Sequence, residues 1–130
     1  AVELMTNPYR ATEVDVVVGA ESRGFIFGTA VAQSLSAGFV PIRKPGKLPS
    51  RVRGVDYQLE YGTDRLEMHA DAVAPGTRVL VVDDLLATGG TLEACCRLLE
   101  EAGAKIVGIT VLIELEGLRG RDRVARHGPV

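Results

Sequence analysis

The residues best suited to chemistry lie in one stretch, Val79 to Thr91, which reads VLVVDDLLATGGT. Two adjacent carboxylates, Asp83 and Asp84, follow the apolar run Val79 to Val82. Ala87, Thr88, Gly89, Gly90 and Thr91 then make a small-residue turn at the start of a helical pattern. Carboxylates accept hydrogen bonds from sugar hydroxyls and anchor a divalent cation, usually through water. Backbone N–H groups at the first turn of a helix favour an anion, and glycines let the backbone approach it closely. Thr88 and Thr91 add hydroxyl donors. One turn therefore unites an acceptor pair with a phosphate cradle, the combination a sugar phosphate requires. The Lys-Ser/Thr that closes a Walker loop is missing here, as is the G-x-G-x-x-G of a dinucleotide fold. A terminal monophosphate suits this turn better than a nucleoside triphosphate.

Three other segments hold polar groups of interest. Glu21-Ser22-Arg23-Gly24 turns out of an apolar run into a helix. Arg43, Lys44, Lys47, Arg51 and Arg53 fall among Pro45, Gly46, Pro49 and Gly54 with no hydrophobic period, which predicts a mobile loop. Five cations on one loop of a chain with net charge −2 suit a polyanionic ligand. Glu60 stands on the polar side of an alternating strand, next to Tyr61. The two histidines, His69 and His127, lack Cys or His partners at metal-ligand spacing, so no zinc site is expected. Cys95 and Cys96 are adjacent within a helical pattern and read as small core residues. With no disulfide framework, the expected setting is reducing and cytoplasmic.

The elements that position these groups alternate between strand and helix, the pattern of a mostly parallel α/β sheet with flanking helices. Strands are predicted at Val14 to Val18 (breaking at Gly19), Phe39 to Ile42, Val79 to Val82 and Ile106 to Leu115, the last as a buried strand. Helices are predicted at Phe25 to Leu35 and from the Gly90 turn to Gly103, with Leu92, Cys95, Cys96 and Leu99 as one buried stripe. Tyr57 to Tyr61 and Arg65 to His69 alternate around Gly62-Thr63-Asp64 and predict an antiparallel hairpin. Leu118 to His127 predicts a short surface helix. At 130 residues the chain is one domain with a real core. Its mild acidity argues against general nucleic-acid binding. No apolar stretch approaches the ~20 residues of a membrane span, so no membrane partner is expected.

Val79 to Thr91, preceded by GAESRGFIFG (Gly19 to Gly28), IRKPGKLP (Ile42 to Pro49) and YQLEYG (Tyr57 to Gly62), resembles the type I phosphoribosyltransferases. The flanking motifs narrow the resemblance to the adenine phosphoribosyltransferase family. It extends from Val14 to Gly120. It implies the type I core with a flexible antiparallel hairpin lid, and transfer of the 5-phosphoribosyl group from phosphoribosyl diphosphate to adenine. The products would be AMP and pyrophosphate, with Mg²⁺ as cofactor held mainly by substrate and water. Another purine such as xanthine, or a non-catalytic diphosphate-binding regulator, are the alternatives. By resemblance Asp83 and Asp84 hold the ribose hydroxyls, and Ala87 to Thr91 enclose the 5′-phosphate. Glu21, Ser22 and Arg23 form the pyrophosphate loop, with a cis peptide at Glu21–Ser22. Arg43, Lys44 and Lys47 face the pyrophosphate as a lid, with Tyr61 nearby, while Arg51 and Arg53 match no such positions. Glu60 handles the proton on the purine imidazole. A homodimer is implied too. The family pattern also includes an N-terminal hood that recognises the base and a closing C-terminal strand. Both are expected to be missing here, leaving a core domain spanning residues 1–130.

Overall fold

The computed structural model describes residues 2–130 except Ser22, Ser50 and residues 59–62. Four parallel strands form the sheet: β1 (Val16–Ala20), β2 (Gly38–Ile42), β5 (Arg78–Leu86) and β6 (Lys105–Glu114), in the order β2-β1-β5-β6. A separate antiparallel pair consists of β3 (Val52–Gln58) and β4 (Thr63–His69). This is the parallel core plus hairpin that the resemblance implied.

Each face of the sheet is covered by its own set of elements, which is why the central strands are apolar without alternation. On one face, Val17, Leu80 and Val82 pack with Val31 and Ala32 of α2 (Arg23–Leu35) and with Met5 of α1 (Val2–Thr6). On the other, Val18, Val79 and Val81 pack with Leu92, Cys95 and Leu99 of α3 (Gly90–Glu101) and with Leu66 and Met68 of the hairpin. The predicted helical stripe of Leu92, Cys95, Cys96 and Leu99 is fully buried, and both cysteines are free thiols. Gly103, with φ +84, takes the left-handed turn that ends α3.

Several predicted boundaries shift, each for a physical reason. Strand β1 runs through Gly19 to Ala20 instead of breaking there. Gly19 is needed in the strand because α2 comes so near: a Cβ on it would stand 2.6 Å from the Gly24 carbonyl oxygen. Helix α2 begins at Arg23, so Arg23 and Gly24 are helical and not part of a turn. Strand β5 continues past Val82 to Leu86, because β6 keeps pairing with it at Asp83↔Val111 and Leu86↔Glu114. The two acids thus lie within the strand, not beyond it. Strand β6 is the edge of the sheet, so its far half is open: Leu112 is 41% and Ile113 53% exposed. The basic segment is shorter than expected. Arg53 and Gly54 belong to β3, whose pairing runs from Val52↔His69 to Gln58↔Thr63 and buries Val55 and Tyr57. Thr63 and Asp64, expected in the hairpin turn, open β4, and the turn itself lies outside the described residues. The surface helix expected over Leu118 to His127 is a single turn, α4 (Gly120–Val124), with Val124 fully buried beneath it.

Replacing Gly19 with Ala forces backbone against backbone where α2 meets β1. Gly19→Ala is expected to destabilise the fold by about 1–3 kcal/mol, read as a lowered urea midpoint with an unchanged slope.

Candidate active site

A cleft enclosing about 320 Å³ opens where β5 gives way to α3. Its walls are Glu21 from the β1–α2 connection, Arg23 from the start of α2, Asp83 to Leu85 from β5, and Ala87 to Leu92 from the following turn and the start of α3. The volume falls within the range of small-molecule sites. The position, at the carboxyl ends of parallel strands, is where open α/β sheets bind ligands.

Gly89 adopts φ +87, a conformation open to glycine at little cost, and it reverses the chain from β5 into α3. No side chain caps the helix. The N–H groups of its first turn therefore open on the cleft, where an anion would find them. Thr88 and Thr91 line the same wall.

Opposite this turn stand the two acids. Asp84 pairs with the exposed Arg23 guanidinium at 3.3 Å. Asp83 accepts the Asp84 backbone N–H at 2.8 Å. Burial, followed by the adjacent Asp84 carboxylate, pushes the Asp83 carboxyl up to about 7; the Asp84 N–H and Arg23 offset only part of that rise. Packing confines it further, since a Cβ on Gly24 of α2 would stand 3.2 Å from Asp83 Oδ1.

The basic segment meets the cleft indirectly. Arg43, Lys44 and Lys47 do not line it; they converge on Glu21, which does. The Lys44 backbone N–H donates to Glu21 Oε1 at 2.6 Å, and the Lys47 ammonium donates to Oε2 at 2.8 Å. Arg43 Nε lies 3.5 Å from Oε1. Burial pushes the Glu21 carboxyl up, but the Lys47 and Lys44 hydrogen bonds and the nearby cations outweigh it and hold the group below its ordinary value. The Lys44 ammonium is paired with Asp64 of β4 and donates to the Tyr57 hydroxyl at 3.3 Å. Arg53 points to the far end of α3, donating to the Glu101 carbonyl at 3.4 Å. Ser22, Glu60 and Tyr61 lie outside the described residues, and so does the peptide at Glu21–Ser22.

Two groups of residues went unnoticed in the sequence. Asp64 and Tyr57 hold Lys44, a pairing made by the hairpin register and signalled by no local motif. The buried Glu93 and two exposed arginines, Arg123 and Arg126, form a charge cluster beside the glycine turn. Only the acid in the first turn of a helix hinted at it.

Comparison with known proteins agrees with this geometry. The phosphoribosyl transferase domain family matches residues 2–127. The adenine phosphoribosyltransferase of Symbiobacterium thermophilum is 58% identical over 127 residues, 98% of this chain and 75% of that protein. The chain belongs to the adenine phosphoribosyltransferase family. The crystal structure of the family member from Rhodothermus marinus superposes with a TM-score of 0.95 at 56% identity, covering 99% of this chain and 73% of that one. The Giardia lamblia enzyme complexed with 9-deazaadenine superposes at 0.90 with 44% identity, covering 97% of this chain and 71% of that one. The parallel sheet, the hairpin and the cleft at the β5–α3 turn thus stand on an adenine phosphoribosyltransferase scaffold.

The raised Asp83 carboxyl makes stability depend on pH. Between its ordinary value and about 7 the folded state holds a proton that the unfolded chain releases, so stability falls as pH rises through that window. Asp83→Asn removes the penalty. Thermal melts of the unliganded protein are expected to show the variant more stable than the parent at pH 8, by an amount on the order of a few kcal/mol. The gap should narrow steadily towards pH 4.

Proposed function

We propose that this chain transfers the 5-phosphoribosyl group from phosphoribosyl diphosphate to adenine, forming AMP and pyrophosphate in purine salvage. The observation that carries this reading is the joining of Asp83, Asp84 and the uncapped first turn of α3 in one cleft. The relatives that share the scaffold are adenine phosphoribosyltransferases, and one of them was solved with 9-deazaadenine, a purine analogue.

In this reading Ala87 to Thr91 grip the 5′-phosphate through backbone N–H groups and the two threonine hydroxyls. Asp83 and Asp84 accept hydrogen bonds from the ribose 2′- and 3′-hydroxyls, which fixes the ring so that C1′ faces the base. The bond from C1′ to the diphosphate oxygen breaks as the bond from C1′ to the purine nitrogen forms. Positive charge grows on the ribose and negative charge on the leaving pyrophosphate. Preorganised charge around both therefore supplies most of the catalysis. The two carboxylates lie beside the developing positive charge. Arg23 and the cations gathered at Glu21 stand on the side proposed for the leaving group. Glu60 accepts the imidazole proton of adenine, and Tyr61 lies near the pyrophosphate. Arg43, Lys44 and Lys47 close over the diphosphate as a lid and exclude water.

Among the described residues no group of three His, Cys, Asp or Glu side chains could hold a metal ion by itself. The Asp83–Asp84 pair does fit a hydrated cation brought in with the diphosphate. Mg²⁺ bound there would neutralise charge on the departing pyrophosphate. The same reading includes a homodimer, supported by the exposed Leu112, Ile113, Leu115 and Leu118 at and beyond the β6 edge. It also includes a cytoplasmic location, supported by two cysteines kept as free, buried thiols.

The test is AMP formation from adenine, phosphoribosyl diphosphate and Mg²⁺, followed across a panel of bases. Adenine should be the preferred acceptor. The double variant Asp83→Asn/Asp84→Asn should lose at least about 100-fold in kcat/KM, and Glu60→Gln about 10²–10⁴-fold in kcat. Lys44→Ala and Lys47→Ala should each raise the KM for the diphosphate. Tight diphosphate binding with no turnover on any base would overturn the reading.

A further inference from the structure

Behind the cleft lies a charge cluster to which the reaction assigns no role. Glu93, in the first turn of α3, is only 8% exposed. Its Oε1 lies 2.9 Å from Arg123 Nε and its Oε2 lies 2.5 Å from Arg126 Nη2. The His127 ring adds a third contact, with Nε2 3.7 Å from Oε2 and Nδ1 2.8 Å from Glu100. Burial alone would push the Glu93 carboxyl up, yet the two guanidinium groups hold it down at about 2. The acid is thus ionised throughout the working pH range, and breaking either bond leaves a buried charge short of a partner.

The cluster fastens α4, and α4 is the backing of the glycine turn. A helix of five residues does not keep its place by its own hydrogen bonds. It is held by the buried Val124 and by the arginines that reach Glu93. Its contacts with the turn are unusually close. A Cβ on Gly89 would stand 3.0 Å from the Gly120 carbonyl oxygen and 3.4 Å from Val124 Cγ1. A Cβ on Gly120 would collide with the Ala87 carbonyl. Arg123 Nη1 lies 3.7 Å from the position a Cβ would take on Gly90. Ala87, Gly89 and Gly90, three members of the cradle, therefore rest on the α4 segment. The cradle contains two adjacent glycines and has little stiffness of its own.

We propose that Arg123, anchored by Glu93, is a positioning residue for the phosphate-binding turn: it stands beside Gly90 and fastens the α4 segment whose Gly120 and Val124 back Gly89, so that the turn's N–H groups hold the aim needed by the 5′-phosphate. Arg123 does not line the cleft and touches no substrate in this arrangement. It acts through the backbone that does. The proposal rests on the cradle reading above, but not on the identity of the base.

The decisive experiment is titration of ribose 5-phosphate into the protein by calorimetry, since that ligand engages the cradle without any acceptor. Arg123→Ala is expected to weaken its binding about tenfold, and Arg123→Lys to recover most of the loss. Glu93→Gln should match Arg123→Ala; if it fails to fold, the two Arg123 variants suffice because that side chain is largely on the surface. In turnover the same variants should raise the KM for phosphoribosyl diphosphate while the KM for adenine and kcat stay within about twofold. A lowered melting temperature with unchanged ribose 5-phosphate affinity would overturn the proposal, as would equal rises in both KM values. A parent protein that binds ribose 5-phosphate but makes no AMP would sink the adenine reading alone. One that does not bind ribose 5-phosphate would sink both.

Discussion

Two neighbouring carboxylates on a strand that is still hydrogen-bonded to its partner set the terms for everything around them. Because β6 continues to pair as far as Leu86, the acids are held in extended register and Asp83 is kept partly out of solvent. Such an arrangement is unfavourable in isolation. The neighbouring elements compensate locally: Arg23 at the start of α2 meets Asp84, and the Asp84 N–H meets Asp83. The close fit of Gly24 against Asp83 leaves the carboxyl little room to turn away. The residual cost is stored at the site, in the form a pair of sugar hydroxyls or a hydrated cation would relieve.

Much of this was legible in the sequence because the physical demands are local. A strand buried on both faces must be apolar, a phosphate cradle must be small and backbone-rich, and VLVVDDLLATGGT satisfies both within thirteen residues. The helical stripe through Leu92, Cys95, Cys96 and Leu99 was legible for the same reason. Sequence and structure part where distant chain decides the outcome. Gly19 reads as a strand breaker until α2 is seen lying against it, when it becomes the residue that permits the contact. The apolar run Ile106 to Leu115 reads as buried, but strand order puts it at the sheet edge. Arg53 reads as part of a cationic loop, yet cross-strand pairing with Met68 places it in β3 and turns it towards α3.

The site residues divide along the same line. Asp83, Asp84 and Ala87 to Thr91 come together as their spacing implied, and Glu21 and Arg23 join them through the parallel register of β1 with β5. Arg43, Lys44 and Lys47 do not line that cleft. Their partners, Glu21 and Asp64, lie roughly twenty or more positions away in the chain. No reading of a basic segment by itself would find them. The support behind the cradle is hidden for the same reason, because Glu93 and Arg123 are thirty positions apart.

The pairing of the basic segment has a consequence for how an anion would be received. Three cations, Arg43, Lys44 and Lys47, are already matched by two carboxylates, Glu21 and Asp64, so this corner carries a net charge of only about +1. A polyanion arriving here would not fall into a bare positive field; it would have to trade places with an internal acid. Ion exchange of this kind attracts weakly at a distance and selects strongly at contact, with a shallow dependence on ionic strength. It favours a ligand that brings enough negative charge to outbid both carboxylates at once, and it leaves a lone monoanion at a disadvantage.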